Sequence, residues 1–129
     1  MYVIIAIIAA GFALFYCSYQ IRLGAYVRSL CRNRAAGRVV ALTFDDGPSG
    51  ELTEQLLEGL AERQVHATFF VCAYRIAQFP DTLSHIAAAG HEIGLHSSCH
   101  DYMQKLDKEA LKQQPEEVLE AVGAYLKTT

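Results

Sequence analysis

An α/β fold, part of a parallel β/α barrel behind an apolar N-terminal helix, is predicted by three features of this sequence. Three short apolar stretches, residues 39–44, 66–72 and 92–95, alternate with amphipathic stretches at a spacing that suits βαβ units. Two of the three run directly into ionisable side chains, the arrangement expected where the strands of α/β folds end. Residues 2–21 carry no charge at all, which sets them apart from the rest of the 129-residue chain.

As a helix, residues 2–21 rise about 30 Å, the thickness of a bilayer's hydrocarbon core. A membrane anchor, a cleaved signal peptide and a buried helix all satisfy that pattern. A signal peptide begins with basic residues and ends at small ones. Here the only early positive charge is the amino terminus, and residues 15–19 (F-Y-C-S-Y) are bulky. The expectation is therefore an uncleaved transmembrane anchor over residues 1–21, with Tyr16 and Tyr19 at the interface. Residues 22–38 follow as a basic juxtamembrane linker, carrying Arg22, Arg28, Arg32, Arg34 and Arg38 with no acid among them. Such a segment touches anionic head groups, and taken alone it favours the cytoplasmic side.

From Val39 onward the chain has fourteen acidic and six basic residues, so nothing in it suggests nucleic-acid binding. Residues 39–44 (V-V-A-L-T-F) read as a strand buried on both faces. Asp45 and Asp46 follow it, and Gly47-Pro48-Ser49 forces a turn. On this stretch alone an ordinary polar turn explains the residues equally well. Residues 51–63 are expected to be helical. Leu52, Leu56, Leu57 and Leu60 form the apolar face, Glu51, Glu54, Glu58 and Glu62 a solvated one, and Ser49 the N-cap. Residues 66–72 form the second strand, with Phe69 and Phe70 as core. A helix near residues 80–89 starts at Pro80 and is capped by Gly90. His66 and His91 flank strands as structural or exposed residues, and His85 is an exposed helical residue.

The third strand, residues 92–95, runs into His96 and His100. Their spacing of four places both imidazoles on one side of a helical turn, near enough to share an ion. Two histidines and one carboxylate make a familiar three-ligand set that keeps positions open for water and substrate. One aspartate of the pair can complete that set, leaving the other beside the metal as a base. The four cysteines have neither CxxC nor disulfide-like spacing, so no structural disulfide is expected, and Cys99 reads as a small buried residue. Residues 105–126 are helical, with Pro115 starting a new helix over residues 116–127 that packs through Val118, Leu119, Val122 and Leu126.

Thr43–Pro48 (T-F-D-D-G-P) and His96–His100 (H-S-x-x-H), with A-T-F-F-V at residues 67–71 and G-H-E-I-G at residues 90–94 between them, resemble the NodB-homology polysaccharide deacetylases, carbohydrate esterase family 4. The resemblance runs from about Arg38 to the end of the chain. It implies a NodB-like barrel, of which residues 39–129 would be the first half. It implies that Asp45 is the catalytic base and that Asp46, His96 and His100 bind a divalent metal, most simply Zn2+. The activity implied is metal-dependent hydrolysis of N-acetyl groups on an amino-sugar polysaccharide. An extracytoplasmic domain then follows from the substrate class, against the sense of the arginine-rich linker.

The family pattern continues with an R-P-P-Y-like segment and later a leucine-x-histidine segment that supplies the general acid, and neither follows His100. About ninety residues lie beyond the linker, whereas a barrel of this kind takes about twice as many. The expectation is thus a truncated deacetylase domain, active with a complementing C-terminal half. The alternative is an inactive, membrane-anchored metal-binding fragment without the general acid.

Overall fold

The computed structural model describes residues 1–20, 24, 35 and 37–126. Arg22, Arg28, Cys31, Arg32 and Arg34 of the basic linker lie outside the described residues. The chain divides into two compact units, Met1–Val39 and Val40–Thr129.

In the first unit, helix α1 spans Tyr2–Tyr19. It has no acidic residue in its first turn, no basic residue in its last and no buried residue. Its isoleucines and phenylalanines are exposed around the whole circumference. Its mean hydropathy of 2.0 over 18 residues makes it long and apolar enough to cross a membrane.

The second unit is built on three parallel strands in sequence order, β1 (Thr43–Gly47), β2 (Thr68–Cys72) and β3 (Glu92–Ser97). Helix α2 (Glu51–Glu62) joins β1 to β2; α3 (Ala73–Gln78) and α4 (Pro80–Ala88) join β2 to β3. A 3₁₀ turn, Met103–Lys105, and helix α5 (Lys108–Leu126) follow. The described strands make an open sheet with β2 in the middle. Val71 and Cys72 of β2 are wholly buried, as a strand with a neighbour on each side should be. Phe69 and Val71 pack with Leu57 and Leu60 of α2, Ile76 of α3, Leu83 and Ile86 of α4 and Val118 of α5. This single core seats every helix of the unit against the sheet.

Several expectations are corrected. The first strand lies later than residues 39–44. Pairing starts at Thr43↔Thr68, while Val39 and Val40 are 74% and 88% exposed. Apolar composition alone does not make a strand where no described segment offers a ladder. The core face of α2 is turned by one residue: Thr53 is buried and Leu52 is 70% exposed. The reason lies at the helix start. Gly50, at φ 57°, is the N-cap rather than Ser49, whose own N–H donates to Thr53 Oγ1 at 2.9 Å. Thr53 must therefore face inward. Pro115 starts no new helix but lies inside α5. It forfeits one backbone hydrogen bond, yet Gln114 on one side and Val118 on the other are both held by tertiary contacts. The start of α5 is capped by Asp107 Oδ1, which accepts from the N–H groups of Glu109 and Ala110 at 3.1 and 2.8 Å. Pro80 does open α4, and Gly90 follows that helix at φ 78°.

Candidate metal centre

The carboxyl ends of β1 and β3 are both irregular, and the irregularities carry the candidate ligands. On β1 the register passes from Phe44↔Phe69 to Gly47↔Val71, so three steps on β1 face two on β2. On β3 it passes from Val71↔Leu95 to Cys72↔Ser97, so His96 is the extra residue. A β-bulge bends its strand and re-aims the side chain there. Asp45 and Asp46 lie within the first bulge and His96 within the second.

Asp46 has φ 63° and His100 φ 58°. Left-handed backbone is uncommon for residues other than glycine and carries a cost of about 1–3 kcal/mol each where context imposes it. These two turns bring three donors together. His96 Nε2 lies 2.9 Å and His100 Nε2 3.2 Å from the same oxygen, Asp46 Oδ1. The imidazole centroids are 5.5 Å apart. One donor atom from each of Asp46, His96 and His100 falls within 4.8 Å of the others.

That set fits a divalent ion. A tetrahedral ion with ligand bonds of about 2.0–2.1 Å has edges of about 3.3 Å between ligands, close to the two separations measured here. Imidazole and carboxylate are the donor types that zinc and similar ions accept. The three side chains are 34–58% exposed, which leaves one side of the group open to solvent and to a substrate. Asp45 is exposed next to Asp46 and is not one of the three donors.

The histidines meet by a route other than the expected helical turn. His96 lies one residue before the end of β3, and the chain then reverses through Ser97–Cys99 so that His100 returns to it. Ser97 Oγ accepts from the His100 N–H at 2.8 Å and closes this turn. Ser98 is buried and held from outside the loop. Its N–H donates to Gln114 Oε1 at 2.7 Å, its hydroxyl donates to Glu117 Oε2, and its carbonyl accepts from the Tyr74 N–H at 3.1 Å. Nothing in the sequence singles out Gln114 or Glu117, because the contacts span 16 and 19 residues. Cys99 is exposed, contrary to expectation: with Ser98 turned inward, its neighbour faces solvent. Among the described residues Cys17, Cys72 and Cys99 are free thiols. A cavity of about 140 Å³ adjoins His96, walled by Leu95, Leu106, Leu111 and Pro115.

The remaining histidines lie elsewhere. His85 on α4 is exposed and pairs with Glu54 at 3.0 Å. His66 and His91 precede β2 and β3, at the opposite end of the sheet. His91 is buried, and its Nδ1 accepts from the Ala67 N–H at 3.2 Å. Burial, and then the nearby His66, hold its pKa below the ordinary imidazole value.

Comparison with known proteins identifies the family to which the chain is similar. The family profile described as polysaccharide deacetylase matches residues 32–129. Peptidoglycan-N-acetylmuramic acid deacetylase PdaC of Bacillus subtilis is 42% identical over 94 residues, covering 70% of this chain and 20% of that protein. A chitooligosaccharide deacetylase of Rhizobium leguminosarum bv. trifolii is 40% identical over 85 residues, covering 66% of this chain and 40% of that protein. The solved structure of the B. subtilis PdaC superposes with a TM-score of 0.63 at 40% identity, covering 67% of this chain and 43% of the other. The chain thus spans between a fifth and two-fifths of the length of these curated relatives.

Proposed function

This chain belongs to the polysaccharide deacetylase family, and we propose that it provides the metal-binding part of an enzyme that hydrolyses N-acetyl groups on an amino-sugar polysaccharide. The observation that carries this reading is the convergence of Asp46, His96 and His100 on one point with a second carboxylate, Asp45, beside it. In this reading residues 39–129 are the first half of a NodB-like β/α barrel. Residues 1–21 anchor it in a membrane, residues 22–38 form the linker, and the domain faces the extracytoplasmic side, where such polysaccharides lie.

Asp46, His96 and His100 would hold Zn2+ or a similar divalent ion. When bound, that ion supplies Lewis acidity: it polarises an amide carbonyl, lowers the pKa of water and stabilises the oxyanion. Asp45 accepts the proton of the attacking water as general base. As a ligand Asp46 would share its negative charge with the ion and be the weaker base, so the adjacent carboxylates divide the two roles. The leaving amine must also gain a proton. Among the described residues no other histidine, cysteine or acid joins the cluster. We assign that proton to a group outside the described residues, on a further segment or a complementing chain. The substrate class rests on the named activities of the relatives, peptidoglycan and chitooligosaccharide deacetylation.

A second reading, a metal-binding unit that does not turn over by itself, draws on the small share of the relatives' length that this chain spans. Acetate release from an N-acetylated oligosaccharide by the Zn2+-loaded chain, assayed with the C-terminal half of a related deacetylase added as the complementing chain, separates the two. Under the first reading, Asp45→Asn lowers turnover by about 10²–10⁴-fold while Zn2+ binding persists. His96→Ala removes both. Zn2+ binding by the unaltered chain without acetate release even in the complemented assay selects the second reading, and absence of Zn2+ binding overturns both.

A further inference from the structure

We infer that Ser98 and Glu117 act as positioning residues, clamping the loop between His96 and His100 to α5 and so setting the distance between the two imidazoles. The inference rests on the reading of Asp46, His96 and His100 as metal ligands. His96 is placed by the β-sheet, whereas His100 stands beyond it on a left-handed residue and has no ladder to hold it. Its position depends on the three residues between. Ser98, the middle one, is 5% exposed, and all three of its polar groups are taken by other elements. Its carbonyl is tied to the start of α3 through the Tyr74 N–H. Its N–H and hydroxyl are tied to α5 through Gln114 and Glu117.

The helix that provides these acceptors is itself fixed. Val118, next to Glu117, is fully buried in the core, so α5 cannot rotate without emptying a core position. A Glu117 carboxyl oxygen is the acceptor for the Ser98 hydroxyl. Loss of that bond leaves a buried hydroxyl without its acceptor and frees the turn that carries His100. Ser97, whose hydroxyl closes the turn from within, is a separate device.

The test is Zn2+ affinity of the full chain by competition with a chromophoric chelator, with far-UV circular dichroism and melting on the same samples. Ser98→Ala and Glu117→Ala should each weaken Zn2+ binding about ten- to a hundred-fold, the range typical of residues that orient metal ligands. The double variant should be no weaker than the worse single one, because the two substitutions remove one bond. Glu117→Gln, which keeps an acceptor, should restore most of the affinity, and Glu120→Gln, on the same helix but away from Ser98, should leave it unchanged. Wild-type affinity in Ser98→Ala, or equal weakening by Glu117→Gln and Glu117→Ala, would overturn the clamp. Absence of Zn2+ binding in the unaltered chain would instead overturn the ligand reading beneath it.

Discussion

At the scale of single residues, position along a strand decides which histidine does what. His91 just before β3 and His96 near its carboxyl end have opposite surroundings. His96 is partly exposed and meets a carboxylate, and His91 is buried and meets a backbone N–H. His91 must stay neutral to accept that N–H through Nδ1, and burial with His66 nearby lowers its pKa accordingly. The folded state therefore binds fewer protons than the unfolded chain between the lowered value and the ordinary value of about 6.5. The stabilisation due to His91 is complete above about pH 6.5 and declines as pH falls through that value toward the lowered one. His91→Asn keeps an acceptor near the Nδ1 position and cannot titrate. Urea unfolding at pH 7.5 and 5.5 on the metal-free chain should show a smaller loss of stability in this variant than in wild type. Equal losses would show that His91 does not contribute to the acid sensitivity.

At the scale of elements, the sheet depends on one close approach between neighbouring strands. A Cβ built at Gly94 would lie 2.4 Å from Phe70 Cδ1, so the Phe70 ring on β2 occupies the space above Gly94 on β3. This residue pair faces across the register, Phe70↔Gly94, two residues before His96. Gly94→Ala should cost about 1–3 kcal/mol through overpacking, read as a lower urea midpoint. Gly94→Ala combined with Phe70→Leu should recover part of that loss, since the smaller side chain vacates the contested space. Full additivity of the two losses would exclude the steric explanation. α5 shows the same dominance of packing over local preference. It runs through Pro115 because Val118 and Gln114 secure it on both sides.

At the scale of the whole molecule, the chain combines two chemically unlike units. Helix α1 exposes apolar side chains on every face, and the second unit keeps its apolar residues around β2. An 18-residue helix rises about 27 Å, close to the hydrocarbon thickness, so lipid is a suitable solvent for it. The full chain should co-sediment with phospholipid vesicles and resist extraction by high salt. A chain without residues 1–20 should stay in the supernatant with the same Zn2+ affinity. Extraction of the full chain by salt alone would replace insertion with electrostatic attachment through the arginines.

The alternation of apolar and amphipathic stretches was sufficient to determine parallel strands joined by helices, and residue type was sufficient to mark His96, His100 and one carboxylate of the Asp45-Asp46 pair, with the resemblance to the deacetylases assigning Asp46 to the ligand set. Both properties are local: periodicity states which face is buried, and donor chemistry does not depend on conformation. The mechanism of their meeting was not local. Four-residue spacing suggested a helical turn, but the histidines meet across a bulge and a reversed loop, because β2 imposes a ladder on β3 and leaves His96 as the extra residue. The exposure of Val39 and Val40, the inward turn of Thr53, the continuity of α5 through Pro115 and the grip of Gln114 and Glu117 on Ser98 were likewise decided by tertiary structure. Each depends on a partner distant in sequence, and the free energy of packing against that partner exceeds the local preference from which the sequence is read.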